Sequence, residues 1–393
     1  MSRSVKTRMG SLLLAVCLIC NLFAGMPIYA EAAASASDIQ ALELEAQSGE
    51  VSIGSAAELI ALSEMDFSTI SEATITLTAD INMSGEEALA PIGGTSPFNG
   101  TFNGNGHVIR NLKIASSSVC TGLFGYVGTE GAIKNLGLQD VSVTGKTNTG
   151  AIAGVLLGSV TECFVTGAID GGRYTGGIAG MLHAGSIMNC WVDADFTTTR
   201  YGGGLFGGTD YLTQPNPNVE TPLKDWTGPI TDKDMVIRNN LVMGTNVGNN
   251  YASAFFGSMA DKTQSSPLEV LEGNVSWMES VTVKSNNYYG PIYAWWAADR
   301  EDDEPDIENN VYWEGTTFKG KSVTGLENSG IMSGRDADGA VAFVDFISLG
   351  FETRTEAELG AQATYEALGW DFTNVWEWDD YLGHPVLQGV DAP

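Results

Sequence analysis

The chain has 393 residues, with 48 Asp and Glu against 19 Lys and Arg, for a formal net charge of −29. Such acidity argues against nucleic acid and anionic membranes as partners, and against anionic polysaccharides unless calcium bridges them. It suits a soluble extracellular protein.

Residues 1–30 read as a signal peptide. Arg3, Lys6 and Arg8 form its basic start, Ser11 to Phe23 its apolar stretch, and Ile28-Tyr29-Ala30 a cleavage site, with Ala34-Ser35-Ala36 as a second candidate. A membrane anchor is the alternative reading of the same stretch. Cys20 follows Ile19, where a lipobox needs a small residue. No further apolar run of ~20 residues occurs, so no membrane insertion is expected after cleavage. Residues 31–50, rich in Ala, Ser and Glu, are expected to be flexible. Residues 51–110 hold an N-terminal cap and the first strands. There Ser55-Ala56-Ala57-Glu58 is a capping box, and Leu59 to Leu62 continue it as a short helix.

Residues 111–325 are repetitive. A glycine-bracketed motif recurs as Gly122-Leu123-Phe124-Gly125, Gly150-Ala151-Ile152-Ala153-Gly154, Gly176-Gly177-Ile178-Ala179-Gly180 and Gly203-Gly204-Leu205-Phe206-Gly207. Its closing glycines fall 26–29 residues apart. A second motif, apolar-x-Asn, appears as Ile109-Arg110-Asn111, Ile133-Lys134-Asn135, Ile187-Met188-Asn189, Ile237-Arg238-Asn239 and Ile307-Glu308-Asn309. Val160-Thr161-Glu162 and Leu271-Glu272-Gly273 are degenerate copies. Short β-branched runs separate the motifs, and none is long or 3.6-periodic enough for a helix. The period predicts an all-β fold: a right-handed parallel β-helix, a solenoid with short helical caps. A mixed β-sandwich is the rival, but it would not need two motifs in the same order so many times. The glycines are expected at bends of positive φ, and the Asn column at a corner.

Insertions at 208–236, 258–270 and 295–306 leave the coil at one corner and should gather on one edge, where repeat proteins often build a binding face. The first carries Tyr211 and Trp226, and the third carries Trp295 and Trp296. Trp277 and Trp313 each stand six positions after the leading Leu271 and Ile307, so they share a register. These six aromatics are the candidate ligand-binding residues, suited to a sugar face or a protein hot spot. The bland reading of Trp277 and Trp313 is filling for a wider end of the core. Asp299, Glu301, Asp302 and Asp303 are the candidate metal ligands, for calcium, although EF-hand spacing is absent and a solvated loop explains them as well. No other cofactor is implied.

Residues 326–393 are expected to form a C-terminal cap. Thr355-Glu356-Ala357-Glu358 repeats the capping-box signature, and Trp370, Trp376 and Trp378 are expected to plug the open core. Cys163 and Cys190 should stack on adjacent coils, either within disulfide reach or as buried free thiols in one column. With Cys120 they make an odd number, against a full disulfide framework.

Signals for catalysis are poor, and no catalytic residue is assigned. His107, His183 and His384 are scattered, and neither His-Glu-x-x-His nor Gly-x-Ser-x-Gly occurs. Asp193 and Asp195, or Asp379 and Asp380, pair carboxylates without an evident Arg beside them.

The Gly-Leu-Phe-Gly motif followed by Ile-x-Asn resembles the GLUG repeat of bacterial secreted and surface proteins. Its flanks resemble that family too: Leu77 to Met83, Pro91 to Gly94 and Phe98 to Ile109 upstream, and Tyr365 to Trp370, Trp376 and His384 to Leu387 downstream. The resemblance spans roughly residues 51–388. Ala254-Phe255-Phe256-Gly257 keeps part of the motif and Pro291-Ile292-Tyr293-Ala294 little. Such repeats occur beside IgA-peptidase-type enzymes and in adhesin-like chains, so the resemblance implies a scaffold more than an activity. The expected function is non-enzymatic binding of a glycan or extracellular protein through the insertion edge, by a monomer that is secreted or held at the cell surface. A β-helical polysaccharide lyase or glycoside hydrolase, and a passive spacer, are the alternatives.

Overall fold

The structure is a computed structural model. It describes residues 36–66, 70–94, 96–209, 235–258, 268–284, 288–290, 306–318, 321–322 and 351–391. The expected leader cleavage sites and most of each insertion lie outside these residues.

From residue 50 onward, the strands of the coils pair in parallel with strands one coil earlier and one coil later, and only Thr317–Phe318 with Lys321–Ser322 and a C-terminal hairpin pair antiparallel among the described strands. A full coil has a fixed order. Ser159–Gly171 runs along a long face, Tyr174–Gly176 crosses a second face, and Ala179–Leu182 forms a third. Gly185–Met188 then begins the next passage of the long face. Among the described strands, twenty form the long sheet, six the second and five the third. This is an all-β parallel solenoid.

One inward column on the long face runs Val51, Ile75, Phe102, Ile133, Val160, Ile187, Ile237, Leu271, Ile307. All but Ile307 are buried in the main core. Two residues later the chain turns through the left-handed region at Asn135, Glu162, Asn189, Asn239, Gly273 and Asn309, with φ between 52° and 65°. That is the physical meaning of the apolar-x-Asn motif. Asn tolerates this backbone and Gly adopts it freely, whereas Glu162 pays about 1 kcal/mol for it. The Ile109-Arg110-Asn111 copy belongs elsewhere. Ile109 pairs with Ile81 and Leu138, not with the motif column. Asn111 and Asp140, at φ 58° and 54°, turn a second bend of the same face. Both bends need a left-handed residue shortly after an inward apolar one, so one signature marks two places.

The residue after the first bend faces inward. Leu136, Cys163, Cys190, Asn240, Asn274 and Asn310 occupy that position in successive coils, all fully buried. Asn240 Nδ2 donates to Ile187 O at 2.9 Å and to Asn274 Oδ1 at 2.8 Å. Asn274 Nδ2 donates likewise to Ile237 O and Asn310 Oδ1, both at 2.9 Å, and Asn310 Nδ2 to Leu271 O at 2.6 Å. Backbone amides of Cys190, Asn240 and Asn274 donate to the amide oxygen of the next coil. The cysteines are free and play the same part more weakly. Cys190 Sγ reaches Val160 O at 3.7 Å and Cys163 Sγ reaches Ile133 O at 3.9 Å. Burial, and then the neighbouring Cys190, push the Cys163 thiol well above its usual range, so it stays protonated and unreactive.

The glycine-bracketed motif is the turn from the second face to the third. Its central Leu123, Ile152, Ile178 and Leu205 are fully buried in the core. The expected positive φ is absent: none of its bracketing glycines lies in that region. They are required because the two faces touch backbone to backbone. A Cβ on Gly180 would lie 2.3 Å from Thr149 N and 2.5 Å from the Asn148 carbonyl carbon. Gly154 and Gly207 meet Thr121 N and Thr175 N in the same way, at 2.6 and 2.3 Å. The opening glycines meet the following coil: Gly150 would place a Cβ 2.5 Å from Ala179 Cα and Gly176 one 2.3 Å from Phe206 Cα.

Part of the N-terminal segment expected to be flexible forms an α-helix, Ala36–Ala46. Leu42 and Ala46 are buried and Ile39 packs beside them on the core. The i, i+3, i+7 spacing of these three was the available signal. The second helix, Ala56–Glu64, is capped as expected, with Ser55 Oγ accepting from Glu58 N and Glu58 Oε2 accepting from Gly54 N at 2.8 Å.

Gly180→Ala should lower stability by about 2–3 kcal/mol in urea denaturation, because neither backbone neighbour can yield. Asn274→Ala should cost roughly 3 kcal/mol in the same assay, since it strands a buried carbonyl and two amide groups at once. An unchanged midpoint in either variant would contradict the packing that motivates it.

Candidate functional site on the outer long face

The C-terminal segment does not plug the core. Phe351–Arg354 pairs in parallel with Asn310–Trp313. Two short helices follow, Glu356–Leu359 and Gln362–Ala367, and then a hairpin of Trp376–Asp379 and His384–Leu387. This strap lies along the outside of the long face. It covers an outward column of Val108, Gly137, Phe164, Trp191, Leu241, Val275 and Val311. Tyr365, Leu368, Trp370, Trp376, Leu387 and Val390 pack against that column in a cluster separate from the main core. Phe164 and Trp191 stack at 4.7 Å and 11°. Gly137 leaves room for the Phe164 ring, which a Cβ would approach to 2.5 Å. Trp370 Nε1 donates to Gly273 O at 2.7 Å, and Asp391 N reaches Gly106 O at 3.4 Å. The strap therefore crosses six coil spacings, roughly 29 Å at ~4.8 Å each. The reason is apolar: seven outward positions would otherwise face water, and the tryptophans expected to stop the core are the side chains that cover them.

Two residues further along each strand lies a column at the margin of the strap: Arg110, Gln139, Thr166, Asp193, Met243, Trp277, Trp313 and Arg354. Met243, Trp277 and Trp313 are half-buried against the strap cluster. The shared register expected for Trp277 and Trp313 holds, and they face outward rather than fill the core. No ring pair joins them among the described residues. The Trp313 indole instead lies across Gly315, where a Cβ would come within 2.4 Å of ring atoms.

A cleft of about 330 Å³ opens between the last coil and the strap helices, lined in part by Asn309, Val311, Glu352, Arg354, Thr364 and Leu368; Trp313 does not line it but stands next to Arg354 in the sheet. Arg354 is the register partner of Trp313. Its guanidinium donates to Glu352 Oε2 at 2.7 Å and to Thr353 O at 3.0 Å. An indole face beside a cleft with a paired guanidinium and carboxylate suits a neutral polar ring or a peptide side chain. Glu352 and Arg354 were not singled out from the sequence. The covered column itself was readable, since an apolar or Gly residue stands two positions after each left-handed corner from Asn135 to Asn309.

Of the other candidates, Tyr211, Trp226, Trp295, Trp296, Asp299, Glu301, Asp302 and Asp303 lie outside the described residues. The residues flanking the first two insertions do stack, Gly208 on Ser258 and Met235 on Leu268, so both leave and return at one corner. Among the described residues no three His, Cys, Asp or Glu side chains are arranged to hold a metal ion. No helix among them is long and apolar enough to cross a membrane. Asp193 and Asp195 both lie exposed on the outer face, with Thr245 Oγ1 donating to Asp195 Oδ1 at 2.6 Å.

His384 joins the strap to the coil. It is buried, its ring lies 5.3 Å from that of Trp191, and its Nδ1–H donates to Pro385 O at 2.9 Å. Burial holds its pKa below the usual 6.5, against the pull of the Pro385 carbonyl, Asp193 and Asp379.

Known proteins add little to this architecture. No protein-family model matches the chain, and no solved structure matches it. A stretch of 88 residues is 38% identical to halomucin of Haloquadratum walsbyi (strain DSM 16790 / HBSQ001), covering 22% of this chain and 1% of that protein. The chain thus spans about a hundredth of the relative it matches.

The folded protein takes up a proton at His384 less readily than the unfolded chain. That contribution to stability is full above the unfolded pKa of about 6.5 and is lost as pH falls below it toward the folded value. The urea midpoint followed by tryptophan fluorescence should therefore drop between pH 7.5 and 5.5. His384→Phe should flatten that dependence; an unchanged slope would place the titration elsewhere.

Proposed function

We propose that this protein is a non-enzymatic extracellular binding solenoid, secreted or held at the cell surface, that recognises a glycan or an extracellular protein. The observation that carries the reading is the pair Trp277 and Trp313, half-exposed in one outward column beside the Arg354–Glu352 cleft. A rigid sheet fixes their spacing, so a ligand meets a preformed surface and little ordering entropy is lost on binding. The surface location draws support from the leader-like start and from the stretch similar to halomucin. Membership of the GLUG-repeat proteins belongs to the same proposal and rests on the two motifs. The insertion corner adds a second recognition edge in this reading, with Tyr211, Trp226, Trp295 and Trp296 as its aromatic groups.

The test is an array of neutral glycans and extracellular proteins probed with the purified chain, with and without calcium. A saturable partner should bind about tenfold more weakly to Trp313→Ala, the loss expected for one stacking contact. A partner whose affinity ignores Trp313 and Trp277 moves recognition to the insertion corner. A chain that binds nothing on the array favours the spacer.

A further inference from the structure

Past its second bend the long face continues as a strip open to solvent. One outward column there runs Ser142, Ala168, Asp195, Thr245, Ser280 and Thr317, each the register partner of the next. A second column, two residues further along, runs Thr144, Asp170, Thr197, Val247 and Thr282. Those on the first three coils are exposed and the remainder half-exposed. The residues between the columns, Val143, Ile169, Phe196, Asn246 and Val281, are buried and fix the strip from within. Each column repeats at the coil spacing of ~4.8 Å, and the two stand roughly 6.6 Å apart along the strand. Trp277 and Trp313 precede the strip on its last two coils, three residues before Ser280 and four before Thr317.

Seven of these eleven side chains carry a hydroxyl. Thr245 Oγ1 donates to Asp195 Oδ1 at 2.6 Å and Thr317 Oγ1 to Glu279 O at 3.3 Å. The hydroxyls of Ser142, Thr144, Thr197, Ser280 and Thr282 have no partner among the described residues. The two charged side chains of the columns, Asp170 and Asp195, are both acids, which disfavours an anionic chain. Past the tryptophans no apolar side chain exceeds Val247, so the strip lacks the aromatic or Arg anchors on which protein interfaces rely. A regular array of donors and acceptors matches a ligand that repeats its own hydroxyls at a similar distance. Sugars along an extended polysaccharide do so, with a rise comparable to the coil spacing, and their ring faces suit the two indoles.

We propose that this strip is the track for an unbranched neutral polysaccharide lying along the solenoid axis. Trp277 and Trp313 stack on its sugars at one end, and Asp195 accepts from its hydroxyls near the middle. The proposal rests on the binding function given above and names its ligand class. One sugar sits on each coil, so about six sugars span Ser142 to Thr317 at the ~4.8 Å repeat.

The test is calorimetric titration of the purified chain with cello-, xylo- and chito-oligosaccharides of two to eight sugars. At least one series should bind, its affinity rising roughly tenfold or more from trimer to hexamer and levelling off beyond. Asp195→Ala, an exposed change outside the core, should weaken the hexamer roughly tenfold and leave the trimer unchanged. Trp313→Ala should weaken both by a similar factor. In the unsubstituted protein the methyl resonances of Thr197 and Thr282 should move with the hexamer, a readout that needs no variant to fold. A sugar lost on Trp313→Ala, but bound equally as trimer and hexamer and indifferent to Asp195, overturns the track and leaves the binding function standing. Length-dependent binding that ignores Trp313 supports the track and removes the tryptophan pair from recognition. Failure of all three series to bind overturns the track, even where a protein partner is found.

Discussion

Everything in this solenoid depends on two backbones being allowed to touch. At the turn between the second and third faces, one coil's chain rests on the next coil's chain with no side chain between them. Gly150, Gly154, Gly176, Gly180, Gly203 and Gly207 make that contact possible, each with main-chain atoms where a Cβ would stand. The close seam brings the buried Leu and Ile of each turn into register, and the same register aligns the inward column of the long face. The Asn240–Asn274–Asn310 ladder then answers a second need. A narrow core leaves carbonyls at the corner pointing inward, and a buried amide on each coil satisfies them while bonding to its neighbour.

The repeat was legible because period and order are properties of the sequence. The reason for each motif residue was only partly so. Glycine serves close approach as well as positive φ, and nothing in a Gly-x-x-Gly run tells the two apart. Asn in the left-handed region marks both bends of the long face, so Asn111 looked like a member of the column formed by Asn135, Asn189 and Asn239. The buried Asn ladder sits one position later than the motif, where Leu136 and the two cysteines break the pattern. What gives the column its identity is position against the neighbouring coil, which a single repeat does not display.

The strap shows a different limit. Trp370 and Trp376 are correctly read as apolar residues needing cover, and a solenoid has an open end that needs covering. The outward apolar column of the long face is visible two positions after each left-handed corner, but nothing in the sequence pairs it with these tryptophans. Phe164, Trp191, Leu241, Val275 and Val311 provide that demand, and satisfying it places His384 against Trp191 and the cleft beside Trp313. The candidate site is thus a by-product of lateral packing, which is why Trp277 and Trp313 were found by register while Arg354 and Glu352 were not.

Solenoids ordinarily fold and unfold piecemeal, since each coil knows only its neighbours. A segment near the C-terminal end that reaches back to Gly106 changes that connectivity. It couples the first coils to the last without passing through those between, so fraying at one point must release a clasp spanning many. It also sets an order of events: as the chain emerges from its N-terminal end, the coils can stack one by one, but the outer column stays uncovered until the strap residues arrive. During that interval Phe164 and Trp191 are a sticky stripe, and the last forty or so residues act as the molecule's own chaperone, closing over the surface most prone to join another chain.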